Sequence, residues 1–177
     1  RIVLDRTPNT VAKDIYNLWF ERGGWVQLGS DVQDRGPHRI ARAVTGTSDN
    51  LKIQVDDRVS WSGIYFATPA VAGLEARDIR INTPSGSAPA WRVDCYSSTW
   101  AIHIHGLGSP RSGTLRGVQV ATELGYTSLV VSFRNDGEGP RVGSGRSTLG
   151  ATEVDDVEAA ISYAVRRGAQ RFVLFGW

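Results

Sequence analysis

The chain has 177 residues, of which 41% are hydrophobic and 21% charged, a composition typical of a globular protein with enough apolar content for a core. Twenty basic and eighteen acidic side chains give a formal net charge of +2 without blocks of one sign, so no nucleic-acid or membrane-surface footprint is indicated. Cys95 is the only cysteine, which excludes an intrachain disulfide, and no apolar run approaches the roughly 20 residues of a spanning helix.

Residues 1–72 form one compositional block, which we interpret as a small, mainly β extension. Residues 9–21 are compatible with a short helix, because Thr7-Pro8 opens the stretch and a glycine pair closes it. Candidate strands separated by Gly, Asp, Asn and Ser follow at residues 25–28, 38–44, 51–55 and 59–66. The block therefore predicts a small antiparallel layer.

Residues 73–177 change to alternating strands and helices. Strands at residues 74–82 and 90–95 flank a turn and predict a hairpin. The elements that follow are a strand from residue 100, a helix at 113–124, a strand at 127–133, a glycine-rich loop at 136–150, a helix at 152–167 and a strand at 171–175. This alternation predicts right-handed crossovers and a parallel sheet.

The helix at 152–167 has apolar residues at three- and four-residue steps, which give it one face for the sheet. Thr152 with Asp155 suits an N-terminal cap, and the acidic residues of the first turn favour the positive end of the helix dipole. A catalytic carboxylate in this acidic cluster is the alternative interpretation.

Two segments carry most of the chemical information. Residues 100–109, W-A-I-H-I-H-G-L-G-S, predict a short strand that runs into a glycine-rich turn. Residues 173–177, V-L-F-G-W, combine a buried type of strand with a Gly-Trp pair.

Other sites remain as alternatives for these residues. His103 and His105 would point the same way from a strand and suggest a metal site, but no Asp-His pair follows them. Gly106-Leu107-Gly108 suggests dinucleotide binding, although Arg111 stands at the third glycine position. Residues 143–147 have an arginine where a phosphate-binding loop needs lysine, so a mobile loop near an active-site rim is the preferred interpretation.

Arg134, Asn135 and Asp136 follow the strand at 127–133, at its carboxyl end. They could steady a nucleophile turn or line a pocket. A structural salt bridge or loop hydrogen bond is the simpler interpretation.

Taken together, four runs carry a family resemblance. They are H-G-L-G-S-P-R-S-G-T-L-R-G, L-G-Y-T-S-L-V-V-S-F-R-N-D, L-G-A-T-E-V-D-D-V-E-A-A-I-S-Y-A-V-R-R-G-A and V-L-F-G-W. In this order they resemble actinobacterial α/β-hydrolases of the serine esterase and peptidase-like kind. The resemblance implies an α/β fold in which residues 73–177 form the N-terminal half of an α/β-hydrolase sheet, a β-hairpin and then βαβαβ, preceded by the extension at 1–72.

The resemblance also implies roles for particular residues. In this family a backbone N–H of the His-Gly loop and the N–H after the nucleophile hold the oxyanion, and the first donor would be that of Leu107. Gly106 lets the loop turn toward substrate and His105 supports the loop base. Gly176 and Trp177 would be the approach to the nucleophile elbow, whose serine is expected immediately after Trp177. The triad residues follow it in the family, so none belongs to this chain.

The implied activity is hydrolysis of a small-molecule ester, or an amide or thioester, through an acyl-enzyme, with no metal or organic cofactor. We expect the C-terminal remainder of the same hydrolase, as a second segment or chain, to complete the sheet and place the strand at 171–175 between two neighbours. A non-catalytic binding or structural module on the same scaffold is the alternative, and nucleotide binding ranks third. No signal-peptide pattern opens the chain, although a targeting segment or anchor could precede Arg1.

Overall fold

Two separate sheets organise the chain, and the computed structural model describes all of its residues, 1–177. The sheets belong to two units, Arg1–Tyr65 and Phe66–Trp177. None of the helices has the length and apolar character that crossing a membrane requires.

The first unit is an antiparallel sheet of five strands. They are β1 (Ile2–Asp5), β2 (Tyr16–Phe20), β3 (Trp25–Asp34), β4 (Arg39–Thr47) and β5 (Val59–Ser62). Their order in the sheet is β1-β4-β3-β2-β5, and β3 pairs with β4 through register shifts on either side of Leu28. Alternate residues of β2 and β3 point to one face and form the core of the unit, which contains Leu18, Phe20, Val26 and Leu28.

The helix predicted at residues 9–21 is wrong. Residues 16–20 instead form β2, and the preceding segment is held by the guanidinium of Arg42, a side chain with no solvent exposure. Arg42 donates to the carbonyl oxygens of Thr10, Ala12 and Asp14. Those carbonyls are therefore satisfied by a distant side chain rather than by a helix.

Two of the strand predictions in this unit also need correction. Residues 51–55 form no strand, and the strand predicted at 59–66 ends at Ser62. The strands that begin near residues 25 and 38 are confirmed and are longer than expected.

The second unit is a mixed α/β layer structure. Its strands are β6 (Ala76–Thr83), β7 (Gly86–Val93), β8 (Thr99–Ile104), β9 (Thr127–Val131) and β10 (Arg171–Gly176). Its helices are a 3-10 turn (Arg111–Thr114), α1 (Leu115–Glu123) and α2 (Glu153–Val165). The strand order is β10-β8-β9-β7-β6, with β10, β8 and β9 parallel and the β6–β7 hairpin antiparallel. The predicted fold class, a hairpin followed by βαβαβ, is confirmed.

The two helices of this unit pack on opposite faces of the sheet. Leu129 and Val131 of β9 belong to the core cluster that contains Ala160 and Ala164 of α2. Val130, between them in β9, belongs to the cluster that contains Leu115 and Val118 of α1. Every residue of β9 is buried, because successive side chains of a central strand are covered from alternate sides.

The start of α2 differs from the predicted cap. Thr152 makes no side-chain bond to the helix backbone. The carboxylate of Glu153 instead accepts hydrogen bonds from the backbone N–H groups of Thr148 and Gly150 and from the hydroxyl of Ser147. Burial raises the pKa of Glu153, but hydrogen bonds chiefly from Thr148 outweigh it and lower the pKa to about 2. The acidic first turn is thus anchored to the loop before the helix.

In this chain β10 pairs with β8 alone and forms the edge of the sheet. Leu174 in its centre is 57% exposed, whereas β8 on its inner side is almost entirely buried. The expected second neighbour of β10 is not supplied by any strand of this unit.

Candidate functional site

Three loops meet the carboxyl ends of the parallel strands. Residues 105–110 follow β8, residues 132–136 follow β9, and Trp177 follows β10. Since the strands are parallel, these three segments share one edge of the sheet, where α/β proteins place their ligands.

The loop after β8 is a tight turn. The N–H of Ser109 donates to the carbonyl oxygen of Gly106 at 3.1 Å, and Gly108 has a φ of +71°. A positive φ at the third residue is the mark of a type II turn and favours glycine there. Leu107 occupies the second position, its side chain is 74% exposed, and its N–H donates to no group of the chain. The predicted oxyanion donor is therefore an unpaired backbone N–H.

His105 lies at the base of this turn with its side chain 2% exposed. Its Nε2 lies 3.0 Å from Oδ2 of Asp136, and its Nδ1 lies 3.1 Å from the carbonyl oxygen of Gly106. The ring also stacks on Phe133, with centroids 4.3 Å apart. The contacts with Asp136 and Gly106 at its two edges and the stacked Phe133 ring on one face therefore fix the orientation of the His105 ring.

Asp136 is the partner that fixes His105 across the sheet edge. Its carboxylate also accepts hydrogen bonds from the N–H groups of Phe133 at 2.9 Å, Glu138 at 2.8 Å and Gly139 at 2.6 Å. Burial raises the pKa of the Asp136 carboxyl, but the hydrogen bond from His105 and three from backbone N–H groups outweigh it and lower the pKa. Asp136 is thus an ionised group at the centre of the loop after β9.

The end of β10 lies directly against the Gly106 turn. The N–H of Trp177 donates to the carbonyl oxygen of Ile104 at 3.1 Å, which extends the β10–β8 ladder by one residue. A Cβ on Gly106 would lie 2.7 Å from the Trp177 carbonyl oxygen. Glycine at position 106 is therefore required by the close approach of two backbones. Gly176 has open space around it.

The indole of Trp177 packs over α1. A Cβ on Gly117 would lie 2.9 Å from Cζ2 of this ring. Because Gly117 has no side chain, the indole of Trp177 can pack directly against the helix at this position.

His103 and His105 have different partners. Nε2 of His103 lies 3.1 Å from Oγ of Ser128, and its ring stacks on Phe175 with centroids 4.9 Å apart. Nothing brings a third ligand to the pair, and no group of three or more His, Cys, Asp or Glu side chains in the chain is arranged to hold a metal ion.

Arg134 has a structural role. Its Nε donates to Oδ2 of Asp156 in α2 at 2.8 Å and its Nη2 to Oδ1 of the same carboxylate at 2.9 Å, so the pair is bidentate. This salt bridge ties the loop after β9 to the first turn of α2. It confirms the simpler of the two interpretations for Arg134, a structural salt bridge.

The sequence did not predict the contact between His105 and Asp136. The sequence places the two residues in separate segments, one after β8 and one after β9. The signal that could have joined them is that neighbouring parallel strands bring the residues following their carboxyl ends together.

One family model matches the first part of the chain. Residues 1–62 match a family model described as a domain of unknown function, DUF8805, which covers about a third of the chain. No curated protein matches the sequence.

Solved structures give the second comparison. A Pyrococcus furiosus esterase matches 63% of this chain in each of three crystal forms, with TM-scores of 0.56, 0.55 and 0.53. The identities are 24%, 24% and 21%, and the match covers 46%, 43% and 43% of the esterase chain. The structural neighbours are α/β-hydrolase esterases, and this chain spans less than half of the length of the P. furiosus enzyme.

Proposed function

We propose that the chain is the N-terminal portion of a serine hydrolase that cleaves a small-molecule carboxylic ester, or an amide or thioester, through an acyl-enzyme. The observation that carries this proposal is the free N–H of Leu107 in a turn that contacts the end of β10. In a serine hydrolase, the nucleophile lies on the turn after such a strand. An unpaired backbone N–H nearby can then bind the oxyanion that forms when the nucleophile attacks the substrate.

In this proposal the nucleophile serine follows Trp177, on the same polypeptide or on a second chain that carries the C-terminal remainder of the hydrolase. The backbone of Trp177 already lies against Gly106, so a residue attached there would start beside the turn that contains Leu107. Residues 1–72 would be a β-rich extension and residues 73–177 the first half of the hydrolase core. The resemblance to actinobacterial enzymes belongs to the same proposal.

The catalytic roles divide between the two segments. The Leu107 N–H would bind the oxygen of the substrate carbonyl as negative charge develops on it. The serine would attack the carbonyl carbon, a histidine would accept its proton, and a carboxylate would orient that histidine, all three from the C-terminal segment. Gly106 and His105 would shape the oxyanion turn, with Gly176 and Trp177 leading to the elbow. Acyl transfer of this kind uses neither a metal ion nor an organic cofactor.

Labelling of the full-length protein by a fluorophosphonate tests the proposal. Leu107→Pro removes the donor N–H, and the second position of a type II turn accepts proline. Loss of one oxyanion donor costs about 100- to 1,000-fold in rate, and we expect a loss of this size in the labelling rate constant.

The matched control is Leu107→Ala, which keeps the N–H and shortens only the exposed side chain. It should label within about threefold of the unmodified protein, as expected for a surface change. A folded full-length protein that resists the reagent would contradict the proposal and favour a binding module on the same scaffold.

A further inference from the structure

We propose that the free edge of β1 is a dimerisation surface, which pairs antiparallel with β1 of a second copy of this chain. The surface belongs to the first unit alone, and its role does not depend on the proposed function. Residues 1–5, R-I-V-L-D, carry the signal, because their charges and apolar side chains complement themselves when two copies run in opposite directions.

The edge of β1 is open and apolar. β1 pairs with β4 alone, and all four of its residues line a groove of about 500 Å³ together with residues 53–57. Val3 in the strand is 54% exposed, and Val55 in the same groove is 92% exposed. The strand has no proline, lysine or bulge, the features with which proteins protect a sheet edge. It is therefore able to pair with a further strand.

The hydrogen bonds of β1 show which residues face the free edge. In an antiparallel ladder, alternate residues direct both backbone groups to the same neighbour. The N–H of Arg6 donates to the carbonyl oxygen of His38 at 2.9 Å, so every second residue back from Arg6 bonds toward β4. Val3 and Asp5 consequently face the free edge. The Asp5 carbonyl oxygen accepts a hydrogen bond from the hydroxyl of Thr10 there, whereas the N–H of Asp5 and both groups of Val3 remain for a second strand.

These groups select one register for a symmetric pair. A two-fold axis at Val3 places Val3 opposite Val3 and Arg1 opposite Asp5 on both sides of the axis. An axis at Asp5 or at Arg1 would instead place like charges opposite each other, which destabilises a strand pair. A register shifted by one residue would face Val3 with a residue that already bonds to β4. Hydrogen bonding and charge therefore agree on the axis at Val3.

Both faces of the paired strands are compatible with this register. Arg1, Val3 and Asp5 alternate with the residues between them and share the solvent face. The Asp5 side chain is 80% exposed, and its ion pair within the chain, at 3.4 Å, is with an exposed arginine, so it can also bind Arg1 of the other copy. The half-buried Ile2 and Leu4 pack on the apolar cluster of the unit and would meet their counterparts across the axis.

Sedimentation velocity of the full-length protein measures the dimer. Two four-residue strands give an interface at the small end of the known range, so we expect a dimer that dissociates on dilution between about 100 and 1 µM. A protein that stays monomeric at 100 µM would overturn the proposal and leave the groove to another occupant, such as an extended peptide.

Charge exchange tests the register. Asp5→Arg and Arg1→Asp each place like charges opposite each other twice, and each should raise the dissociation constant of the dimer about fivefold or more. The double variant should return to within about threefold of the unmodified protein. Asp31→Arg makes the same charge change at an exposed residue outside the groove and is the control. Single variants that dimerise normally, or a double variant without recovery, would contradict the paired strands.

Cross-linking tests the position of the axis. Cα atoms of a hydrogen-bonded antiparallel pair lie about 5.5 Å apart, within the span of a disulfide, so Val3→Cys in the full-length protein should form a covalent dimer when diamide oxidises its thiols. Asp5→Cys is the matched control, because its two thiols would lie more than about 13 Å apart along the strands. The unmodified protein, with Cys95, gives the background. Equal cross-linking of the two variants, or none in Val3→Cys, would overturn the proposal.

Discussion

His103 and His105 are two residues apart at the end of β8 and have opposite environments. His105 has an ionised partner, Asp136, on one side and a carbonyl on the other. His103 has no solvent exposure, a hydroxyl at Nε2 and no partner at Nδ1. Burial without a charged partner disfavours the imidazolium, and it lowers the pKa of His103 to about 4.

The lowered pKa makes stability depend on pH. Between pH 6.5 and about 4 the unfolded chain binds a proton at His103 that the folded chain does not, so stability falls as the pH falls through this range. From pH 7 to pH 5 this group alone should lower the free energy of unfolding by about 2 kcal/mol.

Urea titrations of the protein and of His103→Gln, at both pH values, measure this effect. Glutamine cannot take up a proton in this range, so the variant should lose less stability than the unmodified protein by about 2 kcal/mol over the same interval. If both proteins lose the same free energy of unfolding between the two pH values, folding does not lower the pKa of His103, and the prediction is wrong.

At the scale of elements, the segment before β2 depends on one side chain. Arg42 reaches the backbone oxygens of residues 10, 12, 14 and 29, and its guanidinium lies 5.4 Å from the ring centroid of Tyr16. The guanidinium fork supplies five N–H donors in one plane, which an ammonium group cannot reproduce.

Arg42→Lys should therefore destabilise the first unit by about 3 kcal/mol or more, since several buried carbonyl groups lose a charged donor. Arg39→Lys, on the same strand, is the control, because the Arg39 side chain is 61% exposed and pairs with an exposed carboxylate. It should change the free energy of unfolding by less than about 0.5 kcal/mol. Similar thermal shifts for both variants would contradict the structural role of Arg42.

The local sequence pattern was sufficient to predict the type of several elements. The periodicity of α2 and the apolar runs of β8 and β9 predicted the correct elements. In each segment the spacing of the apolar residues follows from which of its faces pack against the core. The start of α2 was less predictable. Glu153 rather than Thr152 holds the preceding loop, and the choice depends on how residues 147–150 fold back.

For the whole molecule, the position of β10 is the decisive feature. One side of β10 bonds to β8 and the other side is an unpaired strand edge with an exposed leucine, the kind of edge that proteins cover or protect. Under the proposed function the remainder of the hydrolase covers this edge.

Hydrogen exchange tests that expectation. In the 177-residue chain, amides of β10 that do not bond to β8 should exchange rapidly, and in the full-length protein they should exchange at least about tenfold more slowly. Amides of β9, which has neighbours on both sides, provide the internal reference. Equal exchange of β10 in the two proteins would mean that the added polypeptide does not pair with this strand.

The sequence by itself determined the element types of the second unit, their order and the edge of the sheet where a site would lie. Those features follow from short-range periodicity and from the rule that parallel strands share their carboxyl ends. The tertiary structure decided which distant residues meet. The partners His105 and Asp136 are 31 positions apart, and Arg42 lies up to 32 positions from the carbonyls it binds. Such contacts depend on strand register and loop path, which no local pattern encodes.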